Sequence, residues 1–182
     1  MGPGMNAPRP GRRAPDRRAM LRVDQAGEYG AVRIYAGQLA VLGDRHPMSR
    51  EVAHMAAQEE RHRARFDAML AERGVRPTLL QPFWHVAGFA LGAVTAAMGP
   101  EAAMACTAAI ETEIDDHYGK QLDELGDTDG ELSEAIADFR AEEVEHRETA
   151  IKAGAENAPA YPILSGMIRL GCRAAIALST RI

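Results

Sequence analysis

Two Glu-x-x-His runs carry the chemistry of this chain: Glu59-Glu60-Arg61-His62 and Glu143-Val144-Glu145-His146. Each follows a further glutamate, Glu28 before the first and Glu111 before the second, at nearly the same separation, so the second half of the chain repeats the first. Carboxylates and imidazoles in this proportion suit iron or manganese, whereas zinc sites usually draw on thiolate or more histidine. Glu and His three residues apart lie side by side on a helix, so both reach one metal. Four helices supplying Glu, Glu-x-x-His, Glu and Glu-x-x-His to a bundle interior hold two such ions. A single Glu-x-x-His would carry little weight, because acidic helical faces are common. The doubled pattern is specific.

Gly and Pro punctuate the chain into six helical segments. They are expected at about 20–42, 47–73, 82–98, 100–125, 131–153 and from Pro162 to 179. Thr128-Asp129-Gly130-Glu131 resembles a capping box opening the fifth. No segment sustains strand-like alternation. The apolar seams test whether the glutamates and histidines face inward. The first reads Leu21, Gln25, Glu28, Val32, Tyr35, Leu39; the second Val52, Met55, Glu59, His62, Phe66, Met69. The fourth reads Met104, Thr107, Glu111, Ile114, Tyr118, Leu122; the fifth Leu132, Ile136, Phe139, Glu143, His146, Ala150. Every spacing is three or four, so Glu28, Glu59, His62, Glu111, Glu143 and His146 interrupt core stripes.

A buried, unpaired carboxylate costs several kcal/mol or stays protonated, and four together repel. Divalent cations resolve that conflict. The bland alternative is a helical bundle with buried Glu–Arg or Glu–His pairs. Glu60, Glu142 and Glu145 flank the seam and read as solvated or as supports behind the ligands. His46, His54 and His85 lie off it and read as surface or packing residues.

The 182 residues suffice for one domain with a sizeable core. Composition is 46% hydrophobic but only 5% aromatic, which favours helix, and the net charge of −5 argues against a nucleic-acid partner. Residues 1–19 hold four prolines and five arginines with no apolar stretch following, and read as a disordered basic tail or a segment touching anionic lipid. Residues 20–182 are expected to form one ferritin-like domain that carries the metal-binding chemistry. Cys106 and Cys172 sit in apolar runs and read as buried reduced thiols. From Phe83 to Met98 there is no Asp, Glu, Lys or Arg. That segment fits a buried core helix, a helix in the membrane interface with Trp84 at its start, or, at marginal length, a spanning helix. The sixth segment sets Arg169 and Arg173 among apolar residues, which fits anionic lipid or packing on the bundle. The fold expected is all-α, a ferritin-like four-helix bundle with two additional apolar or amphipathic helices.

Arg22-Val23-Asp24-Gln25-Ala26-Gly27-Glu28-Tyr29-Gly30-Ala31 and Arg33-Ile34-Tyr35-Ala36-Gly37-Gln38 resemble the demethoxyubiquinone hydroxylase family. So do Glu59 to His62, Ala105-Cys106-Thr107, Phe139-Arg140 before Glu142 to His146, Ala158 to Tyr161 and Gly171 to Ile176. The resemblance spans roughly residues 20 to 182. It implies a peripheral membrane di-iron monooxygenase of ubiquinone biosynthesis, with two Fe ions per chain on the six residues above. The substrate implied is a 6-methoxy-3-methyl-2-polyprenyl-1,4-benzoquinol. O2 is the co-substrate, one oxygen entering the ring and the other leaving as water. The quinol itself or NADH is the reductant. The family's His-Tyr pair falls on His117 and Tyr118. Tyr118 is placed to relay an electron or proton between quinol and iron, and a hydrogen-bonded core tyrosine is the alternative. The short N-terminal stretch, beside the long targeting extension of mitochondrial members, implies a bacterial source and the cytoplasmic face of the inner membrane. A second copy of the chain or another ubiquinone-biosynthesis protein is the partner to expect.

Two rival readings use the same ligands or none. An iron-storage or peroxide-scavenging ferritin relative has no use for a lipid-facing third helix. A non-enzymatic helical scaffold would bind no metal. No glycine-rich dinucleotide fingerprint follows a strand.

Overall fold

Asp16 sets where the first helix begins. Its Oδ1 accepts from the Ala19 amide at 3.1 Å, so α1 runs Arg17–Leu42, starting ahead of the expected Met20. The computed structural model describes residues 14–182, so the expected tail lies outside the described residues up to Arg13. The other helices are α2 (Ser49–Glu72), α3 (Gln81–Ala97), α4 (Pro100–Leu125), α5 (Gly130–Lys152) and α6 (Tyr161–Ser179). A short 3-10 turn, Ala155–Asn157, joins the last two. No strand occurs among the described residues, and the chain is all-α, consistent with a ferritin-like bundle.

Helix ends follow the Gly and Pro punctuation closely. Gly99, at φ 127°, turns the chain where a side chain would be strained, and Pro100 occupies the first turn of α4. The cap of α5 differs from expectation. Thr128 turns its hydroxyl back to the Leu125 carbonyl at 2.6 Å. Asp129 therefore becomes the cap, accepting from the Leu132 amide at 3.2 Å, and it also pairs with Arg73 at 2.6 Å. Glu131 reaches Arg65 and Arg73 instead of closing a capping box.

α1 pairs with α2, and α4 with α5, to make the bundle; α3 lies mainly on α1, and α6 mainly on α4. Two of the three buried apolar clusters among the described residues fill the bundle interior, and the third, with Ile34, Ile110 and Ile168, lies where α6 meets α1 and α4. Of the interior two, one gathers Tyr35, Val52, Met55 and Met104, and the other Leu21, Phe66, Met69, Leu125 and Leu132. Each fully buried large side chain contributes about 1.5–3 kcal/mol. On all four bundle helices the Glu and His positions fall between residues of these clusters, so a polar layer is clamped between two dry ones.

α3 approaches α1 more closely than ordinary side chains permit. A Cβ on Gly92 would overlap the Ile34 carbonyl oxygen, and one on Gly37 would overlap that of Phe89. The core-helix reading holds for one face of α3 only. Gly88, Gly92, Thr95 and Ala96 are buried, while Phe83, Val86, Val94 and Met98 are exposed. α6 likewise buries Ile168 and Ser179 and exposes Ile163, Met167, Leu170 and Leu178. α6, not α3, is the described helix long and apolar enough to cross a membrane by length and composition. Trp84 does not stand free at the start of α3: it is half-buried and its indole N–H donates to Ser179 Oγ at 3.0 Å. Arg169 and Arg173 both donate to the buried carboxylate of Glu113, at 2.5 and 2.8 Å, so each packs on the bundle while part of its side chain stays exposed. Cys106 is buried, Cys172 is half-buried, and neither forms a disulfide.

Candidate metal centre

Periodicity puts Glu28 on α1, Glu59 and His62 on α2, Glu111 on α4, and Glu143 and His146 on α5, and the bundle brings all six together. They form two overlapping groups, Glu28–Glu59–His62–Glu143 and Glu59–Glu111–Glu143–His146, with donor atoms within 4.8 Å of one another in each. Glu59 and Glu143 belong to both groups. Glu28 and Glu111 belong to one each. A pair of cations held by the two groups would share Glu59 and Glu143.

The imidazoles are oriented from behind. Nε2 of His62 lies 3.3 Å from Glu142 Oε2, and Nε2 of His146 lies 3.1 Å from Gln58 Oε1. With a proton on each Nε2, both Nδ1 lone pairs face the carboxylates. Nδ1 of His62 lies 3.2 Å from Glu143 and 3.5 Å from Glu28, and Nδ1 of His146 lies 3.1 Å from Glu59. Such supports fix the tautomer and ring of a metal-binding histidine. Phe139 stacks on His62 with centroids 4.1 Å apart, holding the ring plane.

The residues fit a divalent pair. Glu28 Oε2, both oxygens of Glu59, His62 Nδ1, Glu111 Oε2 and Glu143 Oε1 are buried without a hydrogen-bond partner. Buried polar atoms are rarely left so, and these six are atoms that two cations would take. Burial and neighbouring carboxylates push Glu59 and Glu111 well above the ordinary carboxylate range, and burial also raises Glu143. Burial works the same way on Glu28, but the bond and charge of His62 outweigh it and hold that carboxyl low. Burial opposes charge on His62, yet Glu143 and Glu28 raise it to about 10, whereas burial depresses His146. A dry cluster with this excess of acid is relieved by cations.

Tyr118 donates to Glu28 Oε1, and Tyr35 donates to Glu111 Oε1 at 2.7 Å. His117 points elsewhere. Its Nε2 lies 3.2 Å from Asp24 Oδ1, which also accepts from Gln121 at 2.8 Å. Sequence reasoning passes over Gln58, Asp24 and Gln121, because an amide or lone carboxylate on a helix reads as solvated surface. Glu142 supports His62, the second of the two readings for it. His85 bonds the Tyr29 hydroxyl at 2.7 Å and His46 the Met48 amide at 3.2 Å, both away from the cluster. An apolar cleft of about 440 Å³ runs between α1, α3, α4 and α6, lined among others by Ile34, Leu91, Ile110, Ile114 and Ile168.

The family model for the ubiquinone biosynthesis protein COQ7 matches residues 16–179. A Rhodospirillum rubrum protein named 3-demethoxyubiquinol 3-hydroxylase is 59% identical over 162 residues, covering 89% of this chain and 76% of the relative. A human protein named NADPH-dependent 3-demethoxyubiquinone 3-hydroxylase, mitochondrial, is 48% identical over 98% of this chain and 83% of its own length. A Saccharomyces cerevisiae protein named 5-demethoxyubiquinone hydroxylase, mitochondrial, is 44% identical over 90% and 77%.

Proposed function

This chain belongs to the COQ7 family, and on that premise we propose that it hydroxylates the ring of a demethoxyubiquinol at a di-iron centre held by Glu28, Glu59, His62, Glu111, Glu143 and His146. It is an enzyme of ubiquinone biosynthesis, an O2-dependent monooxygenase. The observation that carries the metal reading is the pair of overlapping donor groups sharing Glu59 and Glu143. Iron bound there would supply the activation of O2, with one atom entering the ring and the other leaving as water at the expense of two electrons and two protons from the reductant.

The chain's own residues supply the rest. Tyr118 and Tyr35 hold the carboxylates of Glu28 and Glu111, and Tyr118 is placed to give its proton to the Glu28 carboxylate and take it back. Ile110 and Ile114 flank Glu111 on α4 and line the cleft, so a ring seated there is next to the centre and shielded from water. The polyprenyl chain runs outward between α3 and α6, whose exposed apolar faces rest on the membrane. Attachment is peripheral, at the surface of the membrane in whose interior the quinol dissolves. Electrons come from NADPH, as the name of the human relative states for that protein, or from the quinol itself.

The hydroxylase names of the relatives do not favour iron storage or a non-enzymatic scaffold. The reading is tested in cells lacking the protein. They should accumulate the demethoxy quinone, recover ubiquinone when the chain is restored, and fail to recover it with His62→Ala. Normal ubiquinone in the deletion strain, with no paralogue present, defeats the assignment.

A further inference from the structure

The contacts around the centre repeat with near two-fold symmetry, and the symmetry breaks in one direction. Glu111 follows Glu28, and Tyr118 follows Tyr35, at one and the same offset along the chain, and the bonds cross: Tyr118 holds Glu28 while Tyr35 holds Glu111. Gln38 and Gln121 share that offset, as do Asp24 and Thr107. Gln121 donates to Asp24 at 2.8 Å, and Gln38 donates to Thr107 at 3.3 Å. On α2 and α5 a slightly longer offset relates Glu59 to Glu143, His62 to His146 and Gln58 to Glu142. Again the bonds cross: Glu142 backs His62 while Gln58 backs His146.

Two of these pairs are chemically unequal. Glu142 is a carboxylate and its image Gln58 an amide. Asp24 is a carboxylate and its image Thr107 a hydroxyl. Both acids fall on the half that contains Glu28 and His62. The two supports also bond each other, Gln58 Nε2 donating to Glu142 Oε2 at 2.6 Å. An unbroken bridge His62–Glu142–Gln58–His146 thus joins the backs of the two imidazoles. A carboxylate behind an imidazole raises its basicity as a ligand more than an amide does. Arg61 also reaches Glu142, at 3.0 Å, but its side chain is 62% exposed, so solvent screens its charge.

We propose that the two metal positions are inequivalent: the Glu28/His62 position binds its divalent cation first and more tightly, and Glu142 and Gln58 are the positioning residues that set the difference. The inference rests on the metal reading given above. It assigns Glu142 and Gln58 opposite effects on affinity, which a merely structural role for either would not produce.

The test is anaerobic titration of metal-free protein with Mn2+, followed by electron paramagnetic resonance of the free ion, and a crystal loaded with one equivalent and located by anomalous scattering. Wild type should bind in two resolved steps, with the first ion beside Glu28 and His62. Glu142→Gln should weaken the tighter step about 10–100-fold, the usual effect of removing such a support, and leave the weaker step nearly unchanged. The exchange variant Gln58→Glu/Glu142→Gln should shift one-equivalent occupancy toward Glu111 and His146 while keeping the helical circular dichroism. Two ions bound with equal occupancy at one equivalent overturn the inference and leave the metal reading standing. So does an unchanged tight step in Glu142→Gln. No Mn2+ binding at all overturns both.

Discussion

The hydroxyl of Tyr35, on α1, donates to Oε1 of Glu111, on α4, at 2.7 Å in the buried interior. The contact ties distant parts of the sequence and leaves Oε2 of Glu111 free for a cation. Removing the hydroxyl leaves a buried carboxylate oxygen unsatisfied, which costs about 1–3 kcal/mol. Tyr35→Phe should lower the urea unfolding free energy by that amount in the metal-free protein. A change smaller than the net worth of an ordinary hydrogen bond, about 0.5 kcal/mol at its lower end, would show that water replaces the bond at no cost.

Tyr118 makes the matching contact to Glu28, and its proposed role goes further. Tyr118→Phe should retain wild-type metal content and lose more than tenfold in turnover, because Glu28 loses its proton partner. Turnover within twofold of wild type would reduce Tyr118 to a packed core tyrosine.

Glu143 is shared by both donor groups, whereas Glu145 is exposed. Glu143→Ala should lose at least one of two ions by elemental analysis, and Glu145→Ala should keep both. Metal removal should also lower stability, because a ligand held at 100 times its Kd contributes about 2.7 kcal/mol. Equal metal content in wild type and Glu143→Ala would contradict the assignment.

The bundle and its buried Glu/His layer are legible in the sequence because periods of three and four residues place Glu28, Glu59, Glu111 and Glu143 on core stripes. The supporting residues are not legible by the same means. Gln58 sits beside the stripe, and its role depends on which helix α2 faces, a matter of tertiary packing. The spacing from Gln58 to Glu142 equals that from His62 to His146, but a spacing gives no partner. Composition likewise leaves α3 open, because an uncharged segment is compatible with core or lipid. Gly37 and Gly92 decide its inner face by letting it press onto α1. The pairing of Arg169 and Arg173 with Glu113 is not legible either, because Glu113 is remote in sequence and on another helix.

Gly92→Ala tests that inner face. The added Cβ would collide with the Ile34 carbonyl oxygen, a backbone atom that cannot swing aside. Overpacking of this kind costs about 1–3 kcal/mol. Differential scanning calorimetry should show a lowered Tm, and a Tm equal to wild type would mean that α3 can lift off α1 freely.

Acid should weaken the contact between α4 and α5. Burial opposes charge on Asp115, but Arg140 at 2.6 Å and Arg147 at 2.8 Å outweigh it and hold the carboxyl below its ordinary range. A group depressed on folding contributes stability that is full above its unfolded value of about 3.9 and is lost as pH falls through the folded value. Asp115→Asn should therefore cost about 1.5–3 kcal/mol at pH 7 in urea unfolding. The two curves should converge below pH 4, and a difference independent of pH would remove the ion pairs as its cause.

The proposed membrane face is tested on the residues that stand outward. Phe89 does not stand outward: its ring lies half-buried under the Arg33 guanidinium at 5.1 Å and its carbonyl meets Gly37. Val86 on α3 is 67% exposed and Met167 on α6 is 70% exposed. Inserting such side chains into the interface contributes about 1.5–3 kcal/mol each. Losing both contacts and adding two charges should abolish flotation of Val86→Asp/Met167→Asp with liposomes. The variant should keep its helical circular dichroism and its metal, because no ligand lies on α3 or α6. If these helices instead docked on the bundle interior, the same substitutions would unfold the protein and release metal. Undiminished flotation of a folded double variant would place the attachment elsewhere on the molecule.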